Sequence, residues 1–232
     1  MAIESCWVAL DCTGETYSCG LLTEAGHFTE IVGLNPRRAL LELPGHVGYL
    51  LRTAGFDYQR IKGVGVPLGP GSFTGVRLGI TLAKTIAHSA CCGVCAVDTL
   101  ECLAKRHGEN FQAAEGVIGV ALDARRRELY CGLFSTSGRS LLPTDVRTPQ
   151  AFQKELSVRS DLLALVGGGF SAYPDLVPVG FRGVVIGRRA HTALSAYTLC
   201  VMTRQAAEAG ELQAPGLIAP AYHRQADIQV SG

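Results

Sequence analysis

Trp7-Val8-Ala9-Leu10-Asp11-Cys12-Thr13-Gly14 is a short apolar run that stops at an aspartate and passes into small, hydroxylic residues. Such a run is long enough for one buried strand and no more, and the polar turn chemistry after it ends the strand. Working outward, Tyr17 to Leu22 reads as a second strand. The turn-like Glu24-Ala25-Gly26 leads to a third near Phe28 to Val32, which completes an antiparallel meander. A helix is expected from about Arg38 to Thr53, with Pro44 and two glycines counting against it. Ile61 to Val66 is a buried strand, and a Gly-rich turn from Gly69 to Gly75 opens a helix over Val76 to Ser89. A strand at Val94 to Val97 and a helix at Leu100 to His107 follow.

The same order then restarts. Gly116 to Leu122 is an apolar strand ending in Asp123, Glu128 to Phe134 a second, and Ser137-Gly138 a turn into a third. A short helix at Ala151 to Leu156, a strand at Leu162 to Val166, the turn Gly167-Gly168-Gly169 and a last long helix over 189–209 complete the chain. The halves share this architecture and negligible identity. The expectation is an α/β protein of two lobes, each a mixed sheet with helices. The lobes are 1–110 and 111–232, with the boundary near His107 to Glu115 and the last helix free to pack back on the first lobe.

Composition narrows the function. With 232 residues, 47% hydrophobic and 18% charged, the chain has ample apolar material for a core. Its net charge of +1 supplies no field for binding nucleic acid unaided, so any RNA is expected to be held by a partner. Glu4 and Asp11 interrupt the first apolar stretch, and no run suggests a membrane span or an export leader. Nine cysteines, an odd number, read as reduced thiols of a cytoplasmic protein.

Two lobes, each with an aspartate closing its first strand, resemble the actin, chaperone-ATPase and sugar-kinase (ASKHA) superfamily. The resemblance implies that Asp11 and Asp123 face a cleft for nucleotide phosphate and metal. Asp11-Cys12-Thr13-Gly14 resembles the first phosphate loop, and Leu165-Val166-Gly167-Gly168-Gly169 the adenosine-side turn. For either aspartate alone, an ordinary turn or cap serves as well. The second phosphate loop is degenerate: Asp123-Ala124-Arg125-Arg126-Arg127 places bulky side chains where a phosphate needs bare backbone. A solvated arginine turn accounts for it equally.

Gly69-Pro70-Gly71-Ser72-Phe73-Thr74-Gly75-Val76-Arg77, continuing Leu78-Gly79-Ile80-Thr81-Leu82-Ala83-Lys84, is the most specific segment. It is not a Walker loop, because no lysine follows Gly75. Ser72 and Thr74 are available as helix caps. Gly75, Gly79, Ala83 and Ala87 fall four apart on one helical face, beside a polar stripe of Arg77, Thr81, Lys84 and His88. Such a stripe admits close approach by another chain or by this chain's own sheet.

This run, with Ala9-Leu10-Asp11, Ala121-Leu122-Asp123-Ala124-Arg125-Arg126, Val166-Gly167-Gly168-Gly169 and the tail Pro220-Ala221-Tyr222-His223-Arg224, resembles the TsaB (YeaZ) family over nearly the whole chain. The resemblance implies a non-catalytic scaffold in formation of N6-threonylcarbamoyladenosine in tRNA. Its partners would be the transferase TsaD and the ATPase TsaE, with tRNA bound indirectly. It also implies association through the two helices of the first lobe, with Gly75, Arg77, Gly79, Ala83, Lys84 and Ala87 at the interface. Asp11, Thr13, Asp123, Gly167, Gly168 and Gly169 would be a vestigial nucleotide site. No cofactor or metal is expected on this chain alone, ATP or ADP is assigned to the complex interface, and a homodimer is the state open to the isolated chain. Two departures stand out. Arg38-Ala39-Leu40-Leu41-Glu42 occupies the place of the family's His-Ser-Glu run, and Asp11 is followed by Cys12 where threonine is usual.

Other chemistry finds less support. Cys92-Gly93-Val94-Cys95, with Cys91, His88 and Cys102 nearby, lacks the second pair a structural zinc needs. No two of the six histidines are three to five residues apart, and the arginine pairs at 37–38 and 188–189 read as solvated turns. The competing function is an ATP-dependent phosphotransferase or ATPase using Asp11 and Asp123. A peptidase is remoter, because no Cys/His or Ser/His pairing supports it.

Overall fold

The computed structural model describes residues 4–111, 115–187 and 194–223. The first half contains β1 (Cys6–Asp11), β2 (Tyr17–Thr23), β3 (Phe28–Gly33), α1 (Ala39–Thr53), β4 (Ile61–Pro67), α2 (Phe73–Ser89), β5 (Gly93–Val97) and α3 (Thr99–Gly108). The second contains β6 (Val117–Asp123), β7 (Leu129–Ser135), β8 (Ser140–Arg147), α4 (Pro149–Ser157), β9 (Leu162–Val166), α5 (Gly169–Ala172), β10 (Val184–Ile186) and α6 (Ala196–Glu208).

The strands form two five-stranded sheets, ordered β3-β2-β1-β4-β5 and β8-β7-β6-β9-β10. In each, the first three strands make an antiparallel meander and the last two add in parallel. The expected two-lobed α/β architecture is therefore present, and the restart of order is a repeat of topology. β10 was not foreseen. Three residues, two of them exposed valines, are too short to show a strand period.

β1 is buried along its whole length, which forces its two faces into different layers. Val8, Leu10 and Cys12 join the core under α1 and α2, while Ala9 joins a second core with α3 and α6. α1 buries Ala39, Leu43, Val47, Leu50 and Leu51, a helical stripe facing the sheet. Pro44 sits on its exposed side, where the carbonyl a proline leaves unpaired can bond water.

α6 comes from the end of the chain yet packs across β1, β2, β4 and β5. It begins at Ala196 behind the cap Ser195, later than the sequence suggested; Arg188, Arg189 and the residues to 193 lie outside the described residues. The segment after it also returns to the first lobe. Gln213 bridges to Val94, Ile218 is buried in the core under α2, and Ala221 N–H donates to the Leu68 carbonyl at 2.9 Å.

Candidate functional site: the cleft between the lobes

The equivalent ends of β1 and β6 bring Asp11 and Asp123 to one cleft of about 890 Å³, whose lining also includes Thr13, Gly168, Arg106 and Arg125. The two aspartates differ. Asp11 is buried, and its Oδ1 accepts from Thr13 N at 2.8 Å and from Thr13 Oγ1 at 2.7 Å. Burial pushes its carboxyl above the usual range; the bonds from Thr13 pull it down, and the nearby charge of Glu30 adds to the rise. Asp123 is more open: its Oδ1 accepts from Arg125 N at 2.9 Å, and its Oδ2 lies 3.6 Å from Arg125 Nη1.

Arg125, Arg126 and Arg127 have φ of 64°, 54° and 61°. Three successive left-handed residues with side chains cost about 1–2 kcal/mol each. The turn is closed by Ala124 N–H to the Glu128 carbonyl and Glu128 N–H to the Arg125 carbonyl, both 3.0 Å. The first lobe thus presents a small hydroxylic loop, and the second a cationic turn whose exposed Arg125 side chain lies beside the carboxylate. The Arg125–Asp123 pair is too exposed to contribute much stability. Its consequence is steric and electrostatic.

The glycine turn divides. Gly167, at φ +119°, lies so close to the Ala121 carbonyl that no Cβ would fit, and a Cβ on Gly169 would stand 2.9 Å from the same oxygen. Both glycines serve packing of the turn on β6, and Gly168 alone of the three opens into the cleft.

α2 also corrects its expectation. Ser72 is the cap, accepting from Gly75 N–H at 3.2 Å. Gly79, Ala83 and Ala87 are buried against the chain's own sheet, and Gly75 is pressed on the Cys12 carbonyl. Small residues are required there because α2 lies close over the first loop and β4, so the stripe is not a face presented to another chain. The outward side carries Phe73, Arg77, Thr81 and Thr85. The Arg77 guanidinium lies 3.8 Å from the Phe73 ring centroid and its Nε donates to Tyr222 Oη at 2.9 Å; Lys84 Nζ donates to the Ile218 carbonyl at 3.2 Å. Both cations thus hold the returning tail. Arg224 lies outside the described residues. Leu40, Leu41 and Tyr49 of α1 are exposed, as is Phe73.

All nine cysteines are free thiols. Burial raises Cys6, Cys12 and Cys19 to about 12, and Cys92, Cys95 and Cys131 to about 11. Among the described residues no group of three or more His, Cys, Asp or Glu is placed to hold a metal ion, and no helix is long and apolar enough to cross a membrane. The sequence reading missed Ser18, Glu30 and Thr99, which line the cleft. Strand register is the signal for two of them: Ser18 pairs with Asp11, and Glu30 lies opposite Gly20 on the same sheet face.

The Escherichia coli (strain K12) "tRNA threonylcarbamoyladenosine biosynthesis protein TsaB" is 30% identical over 176 residues, covering 73% of this chain and 74% of that protein. The chain belongs to the TsaB (YeaZ) family. A TsaB of Bacillus subtilis is 38% identical over 128 residues, a match spanning 55% of this chain and about half (54%) of the relative. A family model described as "TsaD: tRNA N6-adenosine threonylcarbamoyltransferase" matches residues 30–157. Among solved structures, YeaZ from Pseudomonas aeruginosa is 26% identical, with 94% of this chain and 99% of that chain covered and a TM-score of 0.74. A second Pseudomonas aeruginosa structure, described as an uncharacterized protein with similarity to peptidase YEAZ, is also 26% identical. It covers 95% of this chain and 100% of its own, with a TM-score of 0.78.

Proposed function

We propose that this chain is a non-catalytic scaffold subunit in formation of N6-threonylcarbamoyladenosine on tRNA, partnering a TsaD-like transferase. The observation that carries the reading is the arginine turn after Asp123. A phosphoryl group held between the two turns is positioned by closely approaching backbone N–H donors and a metal ion. Here the second side is a bulky left-handed turn with a guanidinium already beside the carboxylate. The curated relatives named for tRNA threonylcarbamoyladenosine biosynthesis support the pathway.

The partner face proposed is the outer side of α1 and α2, with Leu40, Leu41, Tyr49, Phe73 and Arg77. Aromatic and arginine side chains are enriched among the residues that dominate binding energy at protein interfaces, and the exposed leucines beside them add apolar area to bury. The same face serves a homodimer when the partner is absent. A TsaE-like ATPase joins through the partner, with ATP or ADP at the shared interface and tRNA held by the complex.

Calorimetric titration of the chain with a TsaD-like transferase tests the reading. Leu41→Asp, a charge placed on a 80% exposed side chain, should leave the melt unchanged and weaken binding at least about tenfold, or 1.4 kcal/mol. Unchanged binding would move the interface elsewhere. ATP turnover by the isolated chain, lost in Asp11→Asn, would replace the scaffold with the phosphotransferase reading.

A further inference from the structure

Two hydroxyls on the cleft wall have nothing to bond. Ser18 Oγ and Thr99 Oγ1 are fully covered within residues 4% and 3% exposed, and neither has a hydrogen-bond partner. A buried polar atom left unsatisfied destabilises the fold unless a bound group completes it. Both residues line the interlobe cleft.

Around Ser18 the surroundings are acidic. β1, β2 and β3 place Asp11, Ser18 and Glu30 on one face of the first sheet, with Ser18 directly opposite Asp11. Asp11 is buried, both of its bonds from Thr13 fall on Oδ1, and the charge acting on its carboxyl is that of Glu30, a like charge. Glu30 Oε1 accepts from Ala196 N–H at the start of α6, 3.2 Å away. The cleft lining holds four carboxylates, with Glu15 and Asp123 added, against the two guanidinium groups of Arg106 and Arg125. A polyphosphate entering without metal meets net repulsion, and no three metal-ligating groups are gathered among the described residues. The missing complement is a cation that brings its own N–H donors.

We propose that the first-lobe wall of this cleft, formed by Asp11, Ser18 and Glu30 with Thr99 at its edge, is a binding site for a primary ammonium group. An ammonium offers three donors to two carboxylates and a hydroxyl, which is the acceptor set present, and such charge-assisted bonds are the stronger kind. A cleft of about 890 Å³ accommodates a polyamine or the side chain of a lysine-like amine. The site is independent of the scaffold reading, because it uses neither the α1–α2 face nor a partner.

The test is calorimetry and thermal melting of the full chain with spermidine, with n-butylammonium and with magnesium-ATP. Spermidine should bind at one site and raise the melting temperature, as any ligand of the folded state does. Asp11→Asn should abolish both effects while still folding, and Ser18→Ala should weaken binding about tenfold. If n-butylammonium binds as tightly as spermidine, a single lysine-type head is read; if it binds much more weakly, the source is a free polyamine. Binding of spermidine that Asp11→Asn and Glu30→Gln leave intact would place it on the outer surface and overturn the site. So would a cleft that takes magnesium-ATP and no amine.

Discussion

Gly75→Ala and Gly79→Ala place the same methyl group at two positions one turn apart on α2, and the structure assigns them opposite signs. A Cβ on Gly75 would collide with the Cys12 carbonyl oxygen and stand 2.9 Å from its carbon, both backbone atoms of the loop that carries Asp11 and Thr13. A Cβ on Gly79 would meet Val66 Cγ2 at 3.5 Å and Cys12 Cβ and Sγ at 3.9 Å, which is ordinary packing. In a helix alanine is favoured over glycine by about 0.8–1.0 kcal/mol, and overpacking costs about 1–3 kcal/mol or more. Gly79→Ala should therefore gain up to about 1 kcal/mol, while Gly75→Ala, whose clash is with backbone and so takes the upper end of the overpacking cost, should lose about 2 kcal/mol after its helical gain is subtracted. For a chain of this length each kcal/mol moves the melting temperature by about 2–4 °C. Differential scanning calorimetry and urea unfolding of both variants would read the pair. A Gly75→Ala protein as stable as the parent would mean that α2 does not lie on the Cys12 carbonyl. An equal loss in both would mean that the stripe is not divided as described.

Asp11→Asn keeps an acceptor for the Thr13 bonds and removes a charge that burial disfavours. Because the folded pKa is raised, the parent loses stability as pH climbs from the unfolded value, about 3.8, through the folded one, so the variant's advantage should grow over that window and persist at neutral pH; urea midpoints across pH would show it, and a constant difference would refute it. Native thiol titration should give one fast equivalent, from the exposed Cys91, with the remaining cysteines appearing on denaturation; several fast equivalents would contradict the packing. Arg77→Ala should cost about 0.5–1 kcal/mol and speed hydrogen exchange at Ala221, because the guanidinium joins Phe73 to Tyr222 of the tail. Unaltered exchange there would show that the tail is held by other contacts.

The repeated order of strands and helices, and the aspartate ending each first strand, were legible in the sequence because they are local. Apolar runs of strand length, glycine turns and the Ser72 cap are set by neighbouring residues, and they fixed the two-lobed α/β class. The stripe Gly75, Gly79, Ala83 and Ala87 was legible as a close contact but not as a contact with which surface, since helical spacing gives a face and not its direction. Burial of Ile80 and Ile86 on the same side turned that face to the sheet. The side-chain set of the cleft was decided still further from the sequence. Ser18 and Glu30 meet Asp11 only through strand register, Thr99 arrives from a helix more than eighty residues later, and α6 closes the layer from the far end of the chain. Side chains brought together by pairing and packing leave no local pattern to read, so the acidic wall and its two unsatisfied hydroxyls belong to the tertiary structure alone.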